Sequence, residues 1–296
     1  MKPVSFSYQL LIDAVTRKGQ GTRNEDRLVV FPEERLFGVI DGVSGIQVPL
    51  DDEGRTAGEL AARTVAQPWA SAVTDPDRSS RPLDLLVRTS LQANERLNGI
   101  MLEQGIDLSR KERRFGAVHA FVLLDETHAH WVQTGDCMIY AVYETGQIRT
   151  ITHDRVEYYD SHALETWQQN DEAWLKHERP DEVQAMLANN RTHANSNPGY
   201  SVLNGDPAVE WHMEYGSIAL QGMTHLLLVT DGLYPWHLDD RQRTTEAWIQ
   251  YVVHTGIGQS LAVLEANERQ DEHCNQIPRF KMSDDKTGIL LTLAQT

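Results

Sequence analysis

The sequence predicts an α+β fold built in layers, because strands cluster and helices segregate into pairs. Strand-like apolar runs gather at 8–40, 116–143 and 217–230, and a last one stands at 287–293. Two stretches, 53–103 and 244–267, instead place apolar residues every three or four positions. No repeat, low-complexity tract or linker divides the 296 residues, which read as one domain, 1–296, with a polar excursion at about 153–200.

The elements follow in order. Tyr8 to Ala14 is extended and apolar-rich, and Gly19, Gly21 and Asn24 mark the loop after it. Arg27 to Phe31 is a strand that Pro32 ends, with Leu36 to Ile40 as its hairpin partner. Helix periodicity runs through Ala57, Leu60, Ala61, Val65 and Trp69, where Pro68 is expected to kink or shorten the helix. It resumes through Leu86, Val87, Leu91, Leu97 and Ile100, after the polar link 77–82. Gly116 to Leu124, His130 to Thr134 and Met138 to Tyr143 form a meander with polar turns. Residues 153–200 are charged and Asn-rich, carry Trp167 and Trp174, and break at Pro198-Gly199; short helices and mobility are expected there. Strands return at Ser217 to Leu220 and Leu226 to Thr230. Helices of roughly 244–254 and 258–267 precede the closing strand.

Composition narrows the function. The formal charge is −16, from 27 basic and 43 acidic side chains. Nucleic acid and anionic membranes are therefore excluded as expected partners, since both need a basic surface. Two cysteines, Cys137 and Cys274, do not make a disulfide scaffold, and Cys137 reads as a small core residue. Met1 to Ser7 lacks the apolar core of a signal peptide, and no run reaches the roughly 20 apolar residues of a membrane span. The expected location is cytoplasmic.

The chemistry lies in five acidic clusters: Asn24-Glu25-Asp26, Asp41-Gly42, Gly135-Asp136, Asp231-Gly232 and Asp284-Asp285. Four stand against apolar strands. A carboxylate at the lip of a buried strand is costly unless paired, and several together repel one another. A hard divalent cation removes that repulsion, and Mg2+ and Mn2+ prefer oxygen ligands. The pattern predicts a carboxylate-lined metal centre.

In full the clusters read Gly19-Gln-Gly-Thr-Arg-Asn-Glu-Asp26, Val39-Ile-Asp-Gly-Val-Ser-Gly45, Thr134-Gly-Asp-Cys137, Val229-Thr-Asp-Gly-Leu233 and Ser283-Asp-Asp-Lys-Thr287. Their order resembles the metal-dependent, type-2C Ser/Thr protein phosphatases across nearly the whole chain. Each element alone is an ordinary turn; the ordered set is specific. The resemblance implies a four-layer α-β-β-α sandwich of two antiparallel sheets flanked by helix pairs. It implies two Mg2+ or Mn2+ ions bridged by Asp41, with the Gly42 carbonyl on one of them. Asp231 and Asp284 complete the first site, Glu25 serves the second, and Asp136 with Asp231 forms a weaker third. Asp26, pointing away from Glu25 along an extended segment, orients water. Asp285 braces the site. Water activated by the two ions would attack phosphorus near neutral pH. Arg23 is favoured over Arg17 as the phosphate-binding cation.

Departures from the family's pattern carry expectations too. Val43 stands where some members have an acid His. His119 lies where the family has small residues and is expected to be hydrogen-bonded in the core, whereas His128 and His130 are expected at the surface. Residues 153–200 take the place of a variable flap, with Asn204-Gly-Asp206 closing it and Trp167 and Trp174 packing it. The implied substrate is a phosphoprotein in a signalling pathway, and a cognate Ser/Thr kinase is the implied partner. Three alternatives stay open: a pseudophosphatase with a binding or regulatory role, a hydrolase of small phosphoesters, and a metal-free structural sandwich. All four core metal positions are acidic, which disfavours the first; the motif order disfavours the second and the buried-charge cost the third.

Overall fold

A computed structural model of the chain describes residues 8–44, 53–75, 81–234 and 245–295. Its strands form two five-stranded antiparallel sheets. In spatial order the first sheet is β1 (Tyr8–Arg17), β10 (Lys286–Gln295), β9 (Met223–Val229), β6 (Met138–Tyr143) and β7 (Ile148–Thr150). The second is β2 (Arg27–Phe31), β3 (Leu36–Val43), β4 (Gly116–Leu124), β5 (His128–Thr134) and β8 (Glu214–Ala219). Seven α-helices accompany them among the described residues: α1 (Ala57–Ala72), α2 (Pro82–Glu103), α3 (Glu157–Gln168), α4 (Asp171–Leu175), α5 (Asp181–Asn190), α6 (Thr245–Thr255) and α7 (Ile257–Gln270).

Strand alternation builds the layers. In β3, Phe37 and Val39 enter the core between the sheets with Leu228, Ile289 and Leu291. Leu36 and Ile40 enter the opposite core, under Val65 and Trp69 of α1 and Leu86 and Leu97 of α2. On the far side, Leu227, Val229 and Leu290 pack against Ile249 of α6 and Leu261 of α7. The order is α-β-β-α, as expected. Strands covered on both faces need apolar residues at every position, which is why β4 reads as a continuous apolar run and is buried throughout. Each large side chain so buried contributes about 1.5–3 kcal/mol. The same alternation carries Asp41, two residues beyond Val39, onto the face between the sheets.

The departures from expectation are local. Pro68 does not shorten α1, which runs four residues further to Ala72. The three-residue β7 was not foreseen, because it is too short to show alternation. Thr244, Gly45 and most of the 77–82 link lie outside the described residues. His119 is fully buried, joined by hydrogen bonds to Ser90 (2.9 Å) and Thr134 (2.8 Å). Burial pushes its pKa down to about 3, so it is neutral. Cys137 is fully buried in the inter-sheet core. His128 is exposed, but His130 is only part-exposed and lies 2.7 Å from Asp125. No helix among the described residues is long and apolar enough to cross a membrane.

Residues 153–200 divide into two parts. Helices α3, α4 and α5 enclose a small core of Trp167, Trp174 and Val183, completed by Phe280 from beyond α7. The indoles meet edge to face at 5.1 Å, and Trp167 Nε1 donates to the Glu178 carbonyl at 2.8 Å. Both tryptophans therefore pack the insertion itself. The return from residue 191 is tied to the main body instead. Asn195 is buried and donates to the Val202 carbonyl, and Leu203 exchanges backbone hydrogen bonds with Ala117 of β4.

Candidate active site

The acidic clusters converge where the ends of the two sheets meet. Asp41 ends the apolar part of β3, Asp136 sits in the turn from β5 to β6, Asp231 follows β9, and Asp284 precedes β10. Glu25 and Asp26 lead into β2. Asp41, Asp136, Asp231, Asp284 and Glu25 all line one cavity of about 400 Å³. Close backbone packing makes this possible. A Cβ at Gly42 would overlap the Gly58 carbonyl, and one at Gly58 would overlap the Glu25 carboxylate. These glycines let the start of α1 press onto β3 with Glu25 held at the contact.

Glu25 and Asp26 point in opposite directions, as an extended pair must. Glu25 Oε1 accepts from Ser44 Oγ (3.0 Å), which in turn accepts from the Gly58 amide (3.0 Å) at the beginning of α1. A helix N-terminus favours a carboxylate. Asp26 is buried and its Oδ2 accepts from Thr230 Oγ1 at 2.8 Å, beside Asp231. Asp285 joins the loops. Its Oδ1 accepts from the Gly19 amide (2.7 Å) and its Oδ2 from the Glu25 amide (2.6 Å). Tyr234 donates to the Asp136 carbonyl at 2.5 Å and steadies that turn.

Electrostatics show the crowding. Burial, then repulsion from Asp26, Asp231, Asp284 and Asp136, holds the Asp41 pKa well above the usual carboxylate range. Burial also raises Asp26, helped by Asp284 and Asp231 against the lowering hydrogen bond from Thr230. Asp136 is raised by burial and then by Asp231, Asp154 and Asp160. Asp231 is pushed up to about 7 by burial and Asp284. Asp26 Oδ1 and Asp231 Oδ1 are buried with no hydrogen-bond partner.

Such a site fits hard divalent cations. The donors are all oxygens, and the unpaired buried oxygens have the chemistry of ligands. As the side chains stand, no three His, Cys, Asp or Glu side chains among the described residues form a group ready to hold an ion alone. Mg2+ commonly keeps several waters between itself and the protein, so a looser carboxylate ring suits it. Asp284 Oδ1 is engaged otherwise: it accepts from the Asp285 amide (2.7 Å) and lies 2.5 Å from Lys281 Nζ.

The cations were poorly legible in the sequence. Arg23 does not line the cavity; its half-exposed guanidinium lies 3.9 Å from Glu59. Arg17 is exposed at Glu265 (3.6 Å). The cavity is lined instead by Arg191 and Lys281, with Lys111 and Arg114 on the same wall. Arg191 follows α5, donates to the Ser44 carbonyl, and feels Tyr200, Glu25 and Asp160. Tyr159 and Asp160 of α3 reach the cavity as well. Nothing in the spacing of these residues marks them, because each arrives on a helix or loop whose path the sequence does not reveal.

Comparison with known proteins bears on the family and the fold. A search of curated protein sequences found no match. Among solved structures, the fold is similar to the serine/threonine phosphatase PstP/Ppp of Mycobacterium tuberculosis, at 17% identity and a TM-score of 0.61 over 96% of this chain and 99% of that one. The catalytic domain of PstP in complex with 2 manganese ions is similar at 16% identity and a TM-score of 0.60, covering 96% and 98%. Serine/threonine phosphatase Stp1 from Staphylococcus aureus is similar at 19% identity and a TM-score of 0.60, covering 99% and 98%. The family model for protein phosphatase 2C matches residues 16–262. The chain therefore belongs to the protein phosphatase 2C family, the metal-dependent serine/threonine protein phosphatases.

Proposed function

We propose that this chain hydrolyses phosphoserine and phosphothreonine in proteins, using a binuclear Mg2+ or Mn2+ centre with room for a weaker third ion. One observation carries the reading: Asp41 feels four other carboxylates at once, from both sheets, at the wall of one cavity. Bound ions would supply a water acidic enough to attack phosphorus near neutral pH. Asp41 and the Gly42 carbonyl would hold the ions at the centre of the site, Asp41 contributing to both. Asp231 and Asp284 would complete one site, Glu25 would serve the other, and Asp136 with Asp231 would serve the third. Asp26, held by Thr230, would orient water at the ions. Asp285 holds Glu25 and the Gly19 loop in register through its two amide contacts.

For the phosphate we assign Arg191 rather than Arg23. Its guanidinium faces the cavity, and a planar fork grips two phosphate oxygens at once. Val43 lines the cavity and offers no proton, so the leaving oxygen takes its proton from water or from Asp160, which burial raises to about 6. We place residues 153–200 as a flap that selects the phosphoprotein, within one catalytic domain. The setting proposed is cytoplasmic signalling opposite a Ser/Thr kinase.

The test compares a phosphothreonine peptide with a small aryl phosphate. Chelation should abolish turnover of both, and Mn2+ or Mg2+ should restore it. Full activity after rigorous removal of metal sinks the proposal. Turnover of the aryl phosphate alone would point to a small-molecule hydrolase.

A further inference from the structure

The turn that carries Asp284 also carries two lysines with opposite constraints. Lys286 is 1% exposed and locked: its Nζ lies 2.9 Å from Glu268 of α7 and donates to Ser283 Oγ (2.8 Å) and to the Asp284 carbonyl (2.7 Å). It fixes the backbone of Asp284. Lys281 is tethered at one end only. Its side chain is 48% exposed, and its ammonium lies 2.5 Å from Asp284 Oδ1, on the wall of the cavity. The other negative charges that act on it most are those of Asp231 and Asp41. An ammonium in that position can leave for water without breaking any part of the core.

We propose that Lys281 is a built-in counter-cation of the metal centre: it holds Asp284 in the metal-free protein and has to release it before an ion binds there. The proposal rests on the metal-dependent reading above and goes beyond it, since it concerns what sets the affinity of the site. A crowd of carboxylates without a cation is unstable in its charged form. The Lys281 ammonium relieves the repulsion at Asp284, and its relief is lost when a divalent ion takes over. Whatever must be displaced weakens the apparent affinity of the incoming ligand. Lys281 therefore stabilises the empty site and raises the metal concentration at which it fills.

The experiment is calorimetric titration of Mn2+ into metal-stripped protein, comparing wild type with K281M, K281Q and K281R. K281M and K281Q should bind Mn2+ roughly three- to fivefold more tightly at low salt. K281R, which keeps the charge, should stay within about twofold of wild type. Rising NaCl should shrink the gap, because a half-exposed pair is screened. Metal-stripped K281M should also melt below metal-stripped wild type at pH 7.5, while the Mn2+-loaded proteins melt alike. Unchanged or weaker Mn2+ binding by K281M and K281Q overturns the counter-cation role and leaves the phosphatase reading standing. Failure of every form, wild type included, to bind Mn2+ overturns the metal-dependent reading and the role of Lys281 with it. Binding by K281M but not by wild type is the strongest supporting result, for Lys281 then closes the site outright.

Discussion

Asp285 offers the sharpest quantitative test of how the site is braced. Its carboxylate is nearly buried and accepts two backbone amides from segments far away in sequence, Gly19 at 2.7 Å and Glu25 at 2.6 Å. Hydrogen bonds to a charged acceptor contribute about 1.5–3 kcal/mol each. Two give about 3–6 kcal/mol in a dry site. Gly19 and Glu25 are part-exposed, so water can partly replace the lost acceptor, which lowers the expected cost of Asp285→Ala to about 2–4 kcal/mol. Asp285→Asn keeps the shape but has one oxygen; its NH2 group faces the other amide, so roughly half the cost is expected. Urea unfolding of metal-stripped protein measures both. The bracing argument predicts the order wild type, D285N, D285A, together with weaker Mn2+ binding as Glu25 loses its anchor. A D285A variant within about 1 kcal/mol of wild type, or a D285N variant as unstable as D285A, would refute it.

Three further outcomes follow from the site. Asp41→Asn should lower kcat by roughly 10²-fold or more, and Asp136→Asn by much less, because Asp41 is assigned to both main ions and Asp136 to the weaker one; equal, small effects in steady-state kinetics contradict the assignment. Asp231 titrates near 7 and Asp160 near 6 in the folded protein, against about 4 when unfolded, so the folded metal-free state binds more protons. The stability these groups contribute is full below the unfolded value and is lost as pH rises through about 6 to 7, so metal-stripped protein should melt lower at pH 8 than at pH 5.5, and Mn2+ should restore it at pH 8. Replacing residues 162–188 by a short Gly-Ser linker should spare hydrolysis of a small aryl phosphate while changing rates on phosphopeptides, since Asn190 donates to the Tyr159 carbonyl at 3.1 Å and the cut ends are neighbours. Loss of folding, or of both activities together, would show that the helices of the insertion belong to the core.

The fold was legible because the central strands of both sheets are covered on both faces. Such strands must be apolar at nearly every position, so β4, β9 and β10 announce themselves as runs, and each charged residue at their ends stands out. The helix pairs were legible for the complementary reason: each has one face in a core, which imposes a spacing of three to four. Elements below the length of one clear period escaped, as β7 did. The helical stretch α3 to α5 was legible only as a change in composition. Its inner return, residues 191–206, is as firmly hydrogen-bonded as the sheets, yet its Asn and Ser side chains read as loop.

The carboxylates that line the cavity stood out in the sequence and the cations that line it did not, and the reason is physical. A metal-binding carboxylate is short. It must sit where the backbone puts it, so it is tied to a strand end and to a neighbouring glycine, and both leave a mark in the sequence. Arginine and lysine reach 6–7 Å from their own backbone by side chain alone, on the order of two residues of extended chain. They can serve a cavity from any loop that passes near it. Arg23 precedes the acidic pair in a loop about a residue short of the family's, and its guanidinium lies beside Glu59, whose carboxylate Arg27 also binds at 3.0 Å. Arg191 and Lys281 come from 150 residues or more beyond Asp41, carried by α5 and by the turn before β10. Their placement depends on the contact of Arg191 with the Ser44 carbonyl in one case and on the locked pair Lys286–Glu268 in the other. The cations that line the cavity are thus placed by elements remote in sequence from the motifs that identify the family. Substitutions in the small core of the insertion should accordingly alter phosphopeptide turnover with no acidic residue changed.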